Sequence, residues 1–492
     1  MKKSKGLIFG IIAALVLLIG GGGAAAYYFL TNTPKNAYLL SEQESLKAMQ
    51  DYFNKRFENE TKFQEKMQDE PYAVNLKLGA DVPESMVSEM GVPKSVIDSS
   101  HIILDMAHDN KKQLSNLSIT PTIADNKLGV FAWQADEKNQ YLQAPILNDV
   151  LSVPNNKIIE TIDKLSGSSS DETLTNDSLN LNNILGNAQV SQEDINKIIE
   201  RYSKTFQDNV KDENFKKEKE KVKIFDEEKN LDKLTMTLVP KDIKKITIAF
   251  LEQAKDDKEL KKIFSTQAQG VDFDKALDKA LKEAKKQKES EYPEIVSTIY
   301  VDGKKILKRD MDITGNGELF KLNALTQIDD NLKLDVTAGS KDMPKAFKLS
   351  GTSTKKENSY KDDYKIAVGV DQGSEITFVN DSKTDGDKRT DKGTVDLSQF
   401  IGQDLKLDYT NDLVTDVGNN EQKQKAEVSM EFQGEKIKLM LDGITKLKQD
   451  VKVKTEGAKD LSKMSDSEIE DLQEEISKNG EKIFEDVSKD LN

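Results

Sequence analysis

Cysteine is absent from all 492 residues. That excludes a scaffold stapled by disulfides, zinc sites built on thiolates, a thiol nucleophile and a lipid-modified N-terminal cysteine. Stability must come from packing. Histidine occurs twice and tryptophan once, and aromatic residues make up 6% of the chain. So thin an aromatic supply argues against a dedicated sugar-stacking surface. Apolar residues reach only 36% against 32% charged. That core is lean, and it suits strands and helices with one solvated face. Positive charge is in deficit too, at a net -15. An acidic chain repels phosphate, which excludes nucleic acid as a partner. It also gains nothing electrostatically from an anionic membrane surface. Acidity of this kind keeps an exposed protein soluble.

What is present begins at the N-terminus. Lys2, Lys3 and Lys5 precede an uncharged run from Leu7 to Leu30, and the next charge is Lys35. Two dozen residues at about 1.5 Å each span roughly 36 Å as a helix, enough to cross a hydrocarbon core of about 30 Å. The lysines on its N-terminal side predict a cytoplasmic N-terminus, with everything beyond about Thr31 outside the cell. A cleaved signal peptide is the rival reading, with Ala24-Ala25-Ala26 as the cleavage site. Apolar character continues past that site through Tyr27, Tyr28, Phe29 and Leu30, which favours an anchor that is kept. Roughly 460 residues follow, room for two or three domains of about 100–200 residues or one large β-rich one.

Ser41-Glu42-Gln43-Glu44 reads as a capping box opening a helix to about Gln68, with Leu46, Met49, Phe53 and Phe57 at helical spacing. Strands are expected at Tyr72–Leu78, His101–His108, Lys127–Ala135 and Gln140–Ala144, with a loop at Val82–Val96 and a short helix at Asn156–Leu165. The Ser/Asn/Asp-rich stretch 166–186 reads as a mobile loop. A charged helix is expected from Ser191 to about Lys217, and Asp212–Lys233, nearly all charge, as a solvated face or linker. A helical hairpin follows Pro240 with Asp242 as its cap. From Glu294 the pattern becomes an antiparallel meander. Asp302-Gly303 suits a type I′ turn between Ile295–Val301 and Lys305–Ile313. Further turns are expected at Gly315-Asn316-Gly317, Asp329-Asp330-Asn331 and Gln433-Gly434-Glu435. Strands are expected near Phe347–Ser353, Tyr364–Val370, Glu375–Val379, Leu405–Tyr409, Ala426–Phe432 and Ile437–Leu441. Asp381–Lys392 reads as a polar loop, and a last helix starts at Ser465, boxed by Glu468.

Motifs that carry chemistry are scarce. His101 and His108 flank Asp105, but on a strand an odd spacing sends the two imidazoles to opposite faces, which argues against a shared metal. No HExxH, GxSxG or Walker A pattern occurs. Ser353-Thr354-Lys355-Lys356 matches SxxK, without the SDN and KTG partners and in a strand-to-turn context. Asp381–Lys392 and Asp312–Asn323 fail the EF-hand template, through Lys383 and Lys392 in the first and Asn323 in the second. No catalytic, metal or cofactor residues are assigned, no ligand-binding residue can be named, and no enzymatic activity is expected.

The short Lys head, the glycine-rich anchor and the helix NAYLLSEQESL resemble uncharacterised membrane-anchored exported proteins of Gram-positive bacteria. The phrase YLQAPILNDVLSV, followed by helices, is similar to exported families whose sheets curve around helices, as in lipoprotein-carrier-like half-barrels. The expected class is α+β: an N-terminal transmembrane helix, then an extracytoplasmic curved antiparallel β-sheet with packed amphipathic helices. The expected divisions are 1–30 for head and anchor, 31–70 for connector and membrane-proximal helix, 71–232 for a first β/helical module and 233–492 for helical hairpin, meander and C-terminal helix. The expected function is a single-pass, membrane-anchored extracytoplasmic binding protein, because a curved sheet with amphipathic helices on its concave face makes an apolar cavity suited to a lipid or other amphiphile. The alternative is an interaction or sensor module that binds an envelope protein and no small molecule.

Overall fold

The computed structural model describes residues 33–89, 91–169, 174–187, 192–267, 273–369, 374–432 and 434–491. The chain opens with helices α1 (Pro34–Arg56) and α2 (Glu58–Asp69), then strand β1 (Tyr72–Asp81). Short helices α3 (Glu84–Glu89) and α4 (Lys94–Asp98) lead into β2 (His101–Asp109), β3 (Leu114–Ile123), β4 (Asn126–Lys127), β5 (Phe131–Ala135), β6 (Asn139–Gln143) and β7 (Leu151–Pro154). Helices α5 (Ile158–Ser166), α6 (Leu181–Asn187) and α7 (Gln192–Asn209) precede the hairpin of β8 (Phe215–Ile224) and β9 (Glu227–Leu238). After α8 (Pro240–Lys255), α9 (Lys258–Gln267) and α10 (Phe273–Lys286) comes the meander. It runs β10 (Glu294–Asp302), β11 (Lys305–Gly315), β12 (Glu318–Ile328), β13 (Leu332–Ser340), β14 (Phe347–Lys356), β15 (Ser359–Val368), β16 (Glu375–Asp385) and β17 (Lys388–Asp396). One helical turn, α11 (Ser398–Ile401), separates these from β18 (Lys406–Asp416), β19 (Glu421–Phe432) and β20 (Glu435–Leu447). The two-residue β21 (Lys459–Asp460) and helix α12 (Asp466–Leu491) finish the chain.

All of these strands join one curved sheet of 21 strands. Its spatial order follows the chain from β8 to β20, then returns to the start. β1 lies between β20 and β2, with Tyr72 opposite both Leu447 and His108. β3, β5, β6 and β7 follow antiparallel, and β21 adds to β7 in parallel.

The expected class is corrected here. Strand accounts for 43% of the chain in a single sheet, and no helix among the described residues is long and apolar enough to cross a membrane. Helix α1 carries Lys35, Glu42, Glu44, Lys47, Asp51, Lys55 and Arg56, charges that a hydrocarbon core rejects. The anchor expected at Leu7–Leu30 lies outside the described residues. The single-pass placement, cytoplasmic at one end and extracellular beyond, therefore has no helix among the described residues to carry it.

Other departures have local causes. The first helix starts at Pro34 rather than Glu42, because Thr33 caps it by accepting from the Asn36 amide and proline suits the first turn. Ser41 of the expected capping box lies mid-helix, donating to the Ala37 carbonyl. The stretch taken as a mobile loop contains α6, whose Leu181 and Leu185 are buried against Ala135. Val82–Val96 holds α3 and α4 rather than a plain loop. Residues 215–233 form most of a hairpin, and Asp381–Lys392 forms another. Asn316 and Gly317 both take the positive φ angles of a type I′ turn, whereas the first hairpin turns one residue later than expected: Asp302 still pairs with Lys305, and Gly303, with positive φ, leads the turn ahead of Lys304. Gln433 lies outside the described residues.

Residues opposite one another in an antiparallel ladder share a face, so register assigns the two faces. From β12 to β20 the outer face carries the solvated ladder, with Lys361, Asp363, Lys392, Thr410 and Lys425 among it. The inner face carries the apolar set and receives nearly all the helical packing. At one end, α7, α8 and α10 bury Tyr202, Phe250, Ile246 and Leu277 against Met236, Ile295, Ile299 and Met311 of β9–β11. At the other, α6 covers part of β3 and β5. Between them α1 and α2 cross the strands as a strap.

Candidate functional site

The strap touches successive strands in order. Tyr38 donates to Ser297 on β10 at 2.7 Å. Glu42 pairs with Arg309 on β11. Tyr52 donates to Ser353 on β14 at 2.7 Å, and Arg56 forms a two-pronged pair with Asp362 on β15 at 2.8 and 2.6 Å. Glu60 accepts from Arg389 on β17 at 2.8 Å. Lys66 donates to the Val417 carbonyl at 2.6 Å. A helical turn rises about 5.4 Å and strands are spaced about 4.8 Å apart, so a helix laid across a sheet meets roughly one strand per turn. These strap contacts are polar, and they run along a buried polar row in the inner face: Ser353, Asp362, Asn380, Ser382, Asp391 and Thr415.

Two repeated clusters form the centre of this row. Asp362 accepts from Arg56 and from the Asn380 amide at 3.0 Å. Asp391 accepts from Arg389 at 2.5 Å and from the Asn411 amide at 3.0 Å. Each carboxylate thus takes one guanidinium and one amide from the next strand. Burial opposes the charge on Asp362, but its hydrogen bonds to Arg56, Ser353 and Asn380 win and hold the carboxyl below its usual range. Burial likewise works against Arg56, and the contacts with Asp362 hold the guanidinium above its ordinary value. Phe57, at the break between α1 and α2, lies between both guanidinium groups at 5.0 Å from each.

Beside these clusters the inner face opens into a recess of about 570 Å³, lined by Phe53, Phe57, Leu334, Tyr364, Phe378 and Tyr409 with the two clusters below. Phe378 and Tyr409 stack with planes 8° apart and centroids 6.3 Å apart. Burial raises the Tyr364 and Tyr409 phenols to about 12, so both stay protonated.

Past the recess, the inner face remains apolar, and among the described residues no long helix crosses it. Register places Phe347, Ile366, Ile376, Val395, Leu407, Val428, Leu439, Leu78, Ile102, Ile119 and Leu142 on this one face, some as direct partners (Ile366–Ile376, Val395–Leu407, Val428–Leu439, Leu78–Ile102) and the others diagonally offset, as one staggered row. Among large apolar strand residues that are solvent-exposed, all but Val379 and Met440 lie on this face. Leu439 is 53% exposed and Ile102 45%. From β14 to β2 the row crosses eight strand spacings, about 38 Å at about 4.8 Å each.

The residues singled out from sequence fall elsewhere or into other roles. His101 pairs with Gly79 and Thr122 while His108 pairs with Tyr72 and Ser115, on opposite faces. His108 is buried, and its Nδ1 lies 2.8 Å from the Ser115 hydroxyl, which donates onward to Asn182 at 2.6 Å. Burial lowers its pKa. Ser353 of the SxxK match is a docking point for Tyr52 and Arg56, with no lysine bonded to it. Both EF-hand-like stretches are hairpins, and no cluster of metal-ligating residues occurs among the described residues. The recess residues carried no sequence signal of their own, because Asp362, Asn380, Asp391 and Asn411 converge only through strand register.

No protein-family profile matches the chain. No curated protein matches it either. Among solved structures, the chain is similar to the outer membrane protein OpdK (OccK1) of Pseudomonas aeruginosa. That likeness is 6% identical, covers 77% of this chain and 98% of that one, and has a TM-score of 0.17. Intact Ap-TbpB, with its N and C lobes, is 6% identical over 77% of each chain at a TM-score of 0.11. Likenesses this slight establish neither fold nor function.

Proposed function

We propose that this chain is a non-enzymatic binding protein that receives a lipid-like amphiphile on the inner face of its sheet. The observation that carries the reading is the uncovered apolar row from Phe347 to Leu142. A contiguous exposed apolar surface of that extent is rare on a soluble chain without a partner. The outer face of the same strands is charged, so the apolar face is not a general property of the sheet. A hydrocarbon core about 30 Å thick is two acyl chains deep, so the stretch of about 38 Å between β14 and β2 accommodates one or two chains end to end. The strap α1–α2 and the aromatic recess border the row on its polar side, which suits a ligand with one polar end. Nothing here depends on where in the cell the chain resides.

Native mass spectrometry of the purified full-length chain tests the reading. Bound lipid is expected at a stoichiometry near one. Leu439→Asp and Ile102→Asp should each reduce that occupancy while leaving the circular dichroism spectrum unchanged. Lipid-free protein that also takes up no added nonyl-chain amphiphile would overturn it.

A further inference from the structure

The recess at the polar border of the row carries a finer inference, which rests on the amphiphile reading above. We propose that it is a subsite for an uncharged, hydroxylated head group, a sugar or polyol ring.

Charge argues first. Arg56 is matched by Asp362, and Arg389 by Asp391 and Glu60. An ionic head of either sign would find its counter-charge already engaged and would have to break a buried pair to bind. A neutral head meets no such cost.

The unfilled hydrogen-bonding capacity argues second. The Asn380 amide nitrogen must face Asp362, because an ionised carboxylate only accepts, and this fixes the carbonyl oxygen Oδ1 on the other side. That Oδ1 has no partner among the described residues, nor has Arg56 Nε. Both side chains are more than nine-tenths buried and both line the recess. One unpartnered acceptor and one unpartnered donor, both shielded from solvent, lie at the same Asp362 carboxylate, and the group that would complete them is one that both donates and accepts, a hydroxyl group. It donates and accepts through a single atom.

The aromatic geometry argues third. Gly351 faces Tyr364 and Gly393 faces Tyr409 across their ladders. A Cβ at Gly351 would lie 2.4 Å from the Tyr364 ring, and one at Gly393 would lie 2.6 Å from the Tyr409 hydroxyl. The missing side chains let both tyrosines lean over their neighbours, and Phe378 stacks beside Tyr409. Against the expectation from so thin an aromatic supply, strand register gathers enough of it here to form a broad aromatic platform. The C–H face of a sugar ring packs on such a surface while its hydroxyls turn to the polar groups at the edge.

Three probes sharing one nonyl chain test this on the full-length protein by isothermal titration calorimetry below their micellar concentrations. They are nonyl glucoside, nonanoate and nonyltrimethylammonium. The glucoside is expected to bind about tenfold more tightly than either ion, as one added hydrogen bond or stacked ring would give. Asn380→Ala and Tyr409→Leu should each erase that preference and leave nonanoate affinity unchanged. If Asn380→Ala fails to fold, Phe378→Leu removes part of the platform without touching a polar partner and carries the same expectation. Equal affinities, tighter binding of an ion, or a glucoside preference that survives the substitutions would overturn the subsite while leaving the amphiphile reading standing. Absence of binding by all three probes would overturn both.

Discussion

At the scale of single residues, the Arg56–Asp362 pair is where stability concentrates. Both side chains are nearly buried, at 8% and 3% exposure. Removing one member strands the other's charge, so Asp362→Ala should cost about 3–5 kcal/mol in denaturant unfolding. Replacing the pair together, as Arg56→Met with Asp362→Leu, should recover most of that loss. The Asp362 carboxyl is held below its unfolded pKa, so the folded state binds the proton less readily. Its contribution is complete above the ordinary aspartate value and disappears as pH falls through that value toward the folded one. His108 behaves alike in a milder range. Its folded pKa is lowered, so neutral imidazole favours the fold and protonation opposes it. Stability should decline as pH drops below about 6.5, and His108→Gln should flatten that decline in thermal melts taken from pH 7.5 to 5.

At the scale of elements, the strap works because helix rise and strand spacing nearly agree. Inserting one alanine after Met49 rotates the rest of α1 by about 100° and carries Tyr52 and Arg56 off their partners. Hydrogen exchange should then show α2 and the end of α1 losing protection while β10–β13 keep theirs. The glycines beneath the tyrosines are equally exacting. A Cβ at Gly351 would lie 2.3 Å from the Asp363 carbonyl oxygen, a backbone atom that cannot step aside. Gly351→Ala should therefore destabilise by about 1–3 kcal/mol, measurable by chemical denaturation. Elements also show where sequence patterning succeeds. The Asp302-Gly303 hairpin, the meander beyond it and the boxed C-terminal helix were legible because turn chemistry and alternation agree there. Phe215–Ile224 was not. It is an edge strand whose lysines and glutamates pair across the hairpin, as Lys217–Asp232 and Lys233–Glu220 do, and whose charge discourages pairing with another chain. Residues 381–392 failed for another reason. Their inner positions, Ser382, Arg389 and Asp391, are polar because they sit in the row beside the strap rather than in an apolar core. The recess was illegible for the same cause: alternation marks which residues share a face, but not which distant element supplies their partners.

At the scale of the whole molecule, an open sheet presents one charged face and one apolar face, with helices covering the apolar one at both ends and along one border. Charges placed in the remaining strip should be tolerated. Leu439→Lys is expected to shift the denaturation midpoint little, because that residue is already more than half exposed. Loss of several kcal/mol instead would mean that something packs on the strip in solution. The sheet also joins its first strand to its last long one. Tyr72 lies opposite Leu447, so β1 has one neighbour close behind it and the other near the far end of the chain. A ribosome adding about 5–20 residues per second reaches that neighbour roughly 20–75 s after β1 has emerged. Throughout that interval one flank of β1 stays bare, and for most of it the strap lacks the strands that receive Arg56 and Glu60. A nascent chain of this design depends on whatever shields it during its own birth, and a truncation before β20 should be degraded rather than stored.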